Sequence, residues 1–239
     1  MSETATTLTT TIYDSLRRDI LDGALNPGAK LLVEMLGRRY ETGGSPVREA
    51  LSRLSSEGLV DRRDQRGFYV ADVDLEQCRE LVRTRCMLEG IALGEAIARR
   101  TSAWEEGLVV AFHRLSREPR STSPEQFIAN PEWERLHSAF HHALIANCPS
   151  RWLLRFCREM REQADRYRQL AARQAFTRRN EGDEHRAILD AVLDGSTEEA
   201  VRLLGQHYTM TLRVIEDAGS AMFTSDTCPP KPRKRGSRV

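Results

Sequence analysis

The chain has 239 residues, 40% of them hydrophobic and 30% charged, enough apolar matter for one large or two small buried cores. No apolar run approaches the roughly 20 residues needed to cross a bilayer, which argues against a membrane partner. A net charge of +1 excludes nucleic-acid binding through a whole-molecule field, and five scattered cysteines (Cys78, Cys86, Cys148, Cys157, Cys228) exclude a paired disulfide framework.

Residues 1–8 are polar and expected to be disordered. Ile12, Leu16 and Ile20 then recur at i, i+4, i+8, the spacing of an amphipathic helix that ends near Asp22-Gly23. Asn26-Pro27-Gly28 reads as a turn, and 32–40 as a second helix followed by a glycine-rich turn at Thr42-Gly43-Gly44. The stretch SPVREALSRLSSEGLVDRRDQRGFYV, from Ser45 to Val70, reads as a third helix and a β-hairpin. Ser45 is the expected N-cap, Pro46 the first helical residue, and Gly58 the stop. Val47, Leu51 and Leu54 share one face, with Arg48 near the helix start on a polar stripe. Leu59–Arg62 and Phe68–Val70 are the two expected strands, joined by a charged turn ending at Gly67. Three helices and a two-stranded wing over 9–71 make a winged helix-turn-helix, and an arginine at the start of its third helix suits a DNA major groove.

Residues 72–74 read as a linker, and from 75 to 217 almost every signal is helical. Helices are expected at 75–100, at 102–118 with Ser102 as cap, at 124–147 with a break at Asn130-Pro131, at 150–174, at 177–193 and at 197–215. The fold class is therefore mainly α: a winged helix-turn-helix followed by an antiparallel bundle of about six helices. The remainder, 218–239, ends in PPKPRKRGSRV, five basic residues and no acidic one, and is expected to be a disordered basic tail. No basic segment followed by an apolar core opens the sequence, so the expected compartment is the cytoplasm, which also fits the cysteine usage.

Four of the six histidines are candidates for chemistry. His137 and His141 lie four apart on one helix and project from one face. His185 and His207 lie roughly ten residues before and after the turn at 194–196, so each stands about 15 Å from it at the helical rise and the two can be level. A bundle that turns these faces together gathers four imidazoles, a donor set suited to a divalent transition metal such as zinc or nickel.

PVREALSRLSSEGLV with its QRGFYV wing resembles the DNA-binding domain of GntR-type bacterial transcription regulators. RTRCMLEGIA (83–92), HSAFHHALIAN (137–147) and EHRAILDAVLDGSTEEAVRLLGQH (184–207) resemble the all-helical FCD effector domain of their FadR subfamily. The resemblance spans about residues 10–215. It implies a homodimeric, metal-binding regulator, more often a repressor, that reads palindromic half-sites in operator DNA and responds to a small organic acid. His141, His185 and His207 match the family's metal ligands, whereas His137 stands where an aspartate is usual. Arg85 matches a position that pairs with the effector carboxylate, the alternative being an ion pair with Glu89 four residues on. Where relatives carry Ser-Arg-Thr-Pro this chain has Gly43-Gly44-Ser45-Pro46, which removes a frequent DNA contact. Ser45, Arg48, Arg53, Arg66 and Gly67 remain the DNA candidates. The rival readings are a metal-dependent hydrolase, with Glu134 the nearest candidate base in sequence, and a metal-free acyl-ligand sensor of the same fold.

Overall fold

The computed structural model describes residues 8–21, 24–72, 74–125, 127–172 and 180–222. Helix α1 (Leu8–Leu21) buries Ile12, Leu16 and Ile20, the periodic set, against α2 (Val33–Arg39) and α3 (Gly44–Ser56). Val47, Ala50, Leu51 and Leu54 of α3 are buried in the same core. Cross-helix hydrogen bonds add to this packing: the Tyr13 hydroxyl donates to Glu57 and the Tyr40 hydroxyl to Asp19.

The wing has three strands rather than two. Between α1 and α2, Lys30–Leu31 forms β1, which pairs antiparallel with β3 (Gly67–Val70), and β3 pairs in turn with β2 (Val60–Arg63). Two residues following a Pro-Gly turn carry no periodicity, so β1 left no sequence signal. The cap of α3 also differs from expectation. The helix begins at Gly44 with Gly43 in the cap position and no side-chain cap bond, so Ser45 is already helical. With no capping side chain, the first N–H groups of α3 are left for solvent or an anion.

Among the described residues six helices follow: α4 (Leu75–Ala98), α5 (Ser102–Ser116), α6 (Pro131–Ile145), α7 (Arg151–Ala172), α8 (Glu181–Leu193) and α9 (Thr197–Met222). Asp74 caps α4, and Thr101, not Ser102, caps α5 by accepting from the Trp104 N–H. The expected break at Asn130-Pro131 is the true start of α6: Asn130 accepts from the Glu132 N–H, and Pro131 sits where its missing N–H costs nothing. The segment before it is not helical; it folds back so that Ser121 bridges Ala129. Helix α9 runs to Met222, past the expected end at 215, while residues 223–239, with most of the expected tail and Cys228, lie outside the described residues. The same holds for residues 1–7 and for 173–179, which span the expected end of one helix at 174 and the expected start of the next at 177.

The bundle has its own core, with Leu93, Leu108, Phe140, Leu144, Ile188, Val192 and Leu204 buried at its centre. Helix α7 joins the two units. Arg166 donates from Nη1 to Gly58 O (3.1 Å) and from Nη2 to Ala71 O (2.6 Å) and Asp72 O (3.0 Å), and Gln163 donates to Glu57 O. These carbonyls belong to the end of α3 and the end of the wing. Gly58 adopts φ +71°, and a Cβ there would come within 3.2 Å of Gln163, so glycine serves both the turn and the close approach of α7.

Candidate metal centre and nucleic-acid interface

Helix α6 presents His137 and His141 on one face, α8 presents His185 near its start, and α9 presents His207 at mid-length. The α8–α9 turn at Asp194-Gly195-Ser196 is tight, with Gly195 at φ +72°, and it brings His185 and His207 level: their ring centroids are 4.7 Å apart. His141 lies 5.3 Å from His185 and 5.1 Å from His207, and His137 lies 5.2 Å from His185. One nitrogen from each of the four rings falls within 4.8 Å of the others, and all four residues are buried. His137 Nε2 and His141 Nε2 are 3.2 Å apart. Two nitrogens on one tetrahedral zinc at about 2.0–2.1 Å would be about 3.3 Å apart, so this pair is already at ligand spacing.

The surrounding hydrogen bonds orient the rings. A carboxylate only accepts, so the 2.8 Å contact of His207 Nδ1 with Glu184 Oε2 puts the hydrogen on Nδ1 and leaves the Nε2 lone pair for the cluster. The Tyr208 hydroxyl gives its one hydrogen to Glu89 Oε2 (2.5 Å) and therefore accepts from His141 Nδ1 at 3.2 Å. That again leaves an Nε2 lone pair facing inward. His137 is held by its ring, stacked on Trp133 at 4.6 Å. Burial, and then the neighbouring imidazoles and arginines, hold His137 and His141 well below the usual histidine pKa, so both are neutral at pH 7. Buried, neutral, converging lone pairs fit a borderline divalent cation.

Arg85 is also buried. It donates from Nε to Glu89 Oε1 at 2.8 Å and lies over the Tyr208 ring at 3.8 Å. Burial opposes its charge, but Glu89 outweighs that and keeps it protonated. The expected alternative, an ion pair with Glu89, is thus present, and it uses only the Nε edge of the guanidinium. Arg85, His137, His141, His207 and Tyr208 line one cavity of about 20 Å³, with Asp165 and Arg168 of α7 on its wall. That volume holds about one water or an ion. Glu134 is not poised as a base: Arg168 and Gln169 both bind it, and although burial would raise its pKa, the Arg168 guanidinium brings it below the usual carboxylate value.

Sequence reasoning singled out the four histidines, Arg85 and Glu89 as its partner, but missed Glu184, Tyr208 and the α7 arginines. Glu184 and Tyr208 each adjoin a histidine in sequence, but their bonds run to a different histidine on another helix or another turn, which no spacing rule predicts.

On the DNA-binding unit, Ser45 and Arg48 are exposed on the first turns of α3, and Arg66 and Gly67 are exposed at the tip of the wing. Arg53 lies further along α3, over the Tyr13 ring at 3.8 Å and paired with Glu57 at 3.5 Å, so it takes part in the unit's own packing.

Comparison with known proteins agrees with both units. Residues 8–70 match the family described as bacterial regulatory proteins, gntR family, and residues 80–210 match the FCD domain. The chain is 37% identical over 207 residues to an uncharacterised HTH-type transcriptional regulator, BphR, of Paraburkholderia xenovorans, covering 87% of this chain and 84% of that one. It is 32% identical to the HTH-type transcriptional repressor GlaR of Escherichia coli, covering 86% and 94%. Among solved structures, E. coli McbR/YncC has the same fold, with a TM-score of 0.67 at 20% identity over 88% of this chain and 98% of that one. With these relatives named as regulators, the hydrolase reading falls, and the chain is a DNA-binding transcription regulator of the GntR family with the FCD domain of the FadR subfamily.

Proposed function

We propose that this regulator senses a small carboxylate through a divalent metal held by His137, His141, His185 and His207, and that the signal reaches DNA through α7. The observation that carries the reading is the convergence of four buried imidazoles, two of them oriented by Tyr208 and Glu184. An all-imidazole set leaves the ion's +2 charge uncompensated by its ligands, which favours an anionic effector and a borderline ion, zinc or nickel, over hard oxygen-seeking ions. The Nη edge of Arg85 supplies a second, bidentate contact for that carboxylate.

A cavity of about 20 Å³ is too small for an organic acid, so binding requires a wall to move. Helix α7 is the wall that matters. One face carries Asp165 and Arg168 into the cavity, and another carries Gln163 and Arg166 onto the ends of α3 and the wing. Displacing α7 therefore displaces the DNA reader. Ser45 and Arg48 at the start of α3 enter the major groove, with Arg66 and Gly67 of the wing beside it and Arg53 a further candidate. The protein acts as a homodimer on palindromic half-sites about one helical turn apart, roughly 34 Å. The exposed apolar residues Met87 and Ile91 on α4, and Trp152 and Phe156 on α7, are the surface a second copy would cover. Repression in the cytoplasm is the sign and place this reading adopts, in keeping with GlaR's name as a repressor.

Coupling between two sites is reciprocal. Effector affinity, measured by calorimetry on the metal-loaded protein, will therefore differ with and without saturating operator duplex. Equal affinities would refute the allosteric reading. A metal-free acyl sensor is the competing account, and metal analysis of protein purified without chelator separates the two.

A further inference from the structure

Two buried arginines line the histidine cavity and both are neutralised; a third lies close by. Arg85 has Glu89, and Arg168 has Glu134 and Asp165. Arg161 is different. It is only 4% exposed, yet its one hydrogen bond among the described residues runs from Nη1 to the Ser138 carbonyl at 3.2 Å. Its Nε and Nη2 are buried without a partner among the described residues. An unpaired buried guanidinium is costly, and buried polar groups in native proteins are nearly always satisfied. An anionic group seated on this edge would satisfy it.

The position of Arg161 says where that partner belongs. On α7 it precedes Ala164, Asp165 and Arg168 by three, four and seven residues, so it continues the stripe of α7 that walls the cavity. Its charge is felt at His141 and at Tyr208, the two residues that link the metal cluster to Arg85. Arg161 therefore lies beside the cavity, one turn along α7 from its lining residues and held to α6 by the Ser138 carbonyl.

We propose that Arg161 anchors a second acidic group of the effector, so that the ligand class is a dicarboxylate: one carboxylate at the metal and Arg85, the other on the open Nε–Nη2 edge of Arg161. This rests on the carboxylate-sensor reading above and sharpens it. An Nε–Nη2 edge is a two-donor fork that matches a carboxylate, which favours this over a hydroxyl or amide at the distal end.

The test is calorimetry on the full-length, metal-loaded protein with a straight-chain dicarboxylate series beginning at malonate, against the monocarboxylate series beginning at acetate. One dicarboxylate length should bind about tenfold to a hundredfold more tightly than its monocarboxylate counterpart, the range expected for a charge-assisted contact. Arg161→Gln should erase that advantage while leaving monocarboxylate binding in place, and Arg161→Lys should keep part of it. Equal affinity of the wild type for the two series would overturn the second anchor and assign Arg161 to ordered water. An advantage that survives in Arg161→Gln would overturn it as well, while leaving the carboxylate sensor standing. Failure of the wild type to bind either series would refute the sensor reading itself, and the anchor with it. If Arg161→Gln does not fold, the wild-type comparison still decides.

Discussion

Acid should destabilise the metal-stripped protein through His137 and His141, and by an amount that can be worked out. Both rings are fully buried and held well below the usual pKa of about 6.5, with burial the leading cause. Below pH 6.5 the unfolded chain takes up protons on these residues that the folded chain refuses. Their contribution is therefore complete above pH 6.5 and is lost as the pH falls towards the folded-state pKa. One unit below 6.5 the loss is about 1.4 kcal/mol for each ring, or about 2.8 kcal/mol for the pair, provided neither protonates in the folded state. Urea unfolding of chelator-treated protein at pH 7.5 and pH 5.5, at matched protein concentration, measures the total loss. The same pair of measurements on the double variant His137→Asn/His141→Asn removes this part of it. The variant's loss between the two pH values should be smaller by about 2.8 kcal/mol. Equal losses would show that these imidazoles are not buried and neutral, and the ligand cluster would fall with them.

The remaining predictions concern the parts around that cluster. Arg48→Ala and Arg66→Ala should each weaken binding to duplex DNA and lower the salt slope by about 1, read from anisotropy titrations at several salt concentrations; an unchanged slope would take that residue out of the interface. Glu184→Ala frees the His207 ring and should cost about 10–100-fold in metal affinity, measured by competition with a chromophoric chelator, and full affinity would show that the carboxylate does not orient the ligand. Arg166→Ala removes three bonds between α7 and the DNA-binding unit; metal content should be unchanged while the effector-induced change in DNA affinity shrinks, and an undiminished change would mean that α7 is not the link.

The two-unit organisation was legible because apolar spacing alone specified α1, α3 and the bundle helices. The convergence of the four histidines was legible for a narrower reason. His137 and His141 share a helix, and a three-residue turn fixes the register of His185 against His207, so simple counting placed them. What was not legible depended on partners distant in sequence. Strand β1 exists because Lys30 and Leu31 find Tyr69 and Phe68, and nothing local to 30–31 announces it. Thr101 rather than Ser102 caps α5 because two adjacent hydroxyl residues compete and only backbone conformation decides between them. Asn130-Pro131 was read as a break within a helix, although an Asn-Pro pair followed by an acidic first turn is equally the signature of a helix start. Arg161, Arg166 and Arg168 carry no local signal of burial, yet all three are buried, Arg166 towards the DNA-binding unit, Arg168 on the cavity wall and Arg161 against the Ser138 carbonyl.

The central claim is that occupancy of the histidine cavity sets DNA affinity. The direct measurement is the dissociation constant for a duplex selected by this protein from random sequence, taken with chelator-stripped protein, with zinc-loaded protein, and with zinc-loaded protein plus saturating dicarboxylate. A shift of at least fivefold between effector-free and effector-bound forms, abolished in His141→Ala, is the expected result, in line with coupling free energies of about 1–3 kcal/mol. One dissociation constant across all three states would contradict the account.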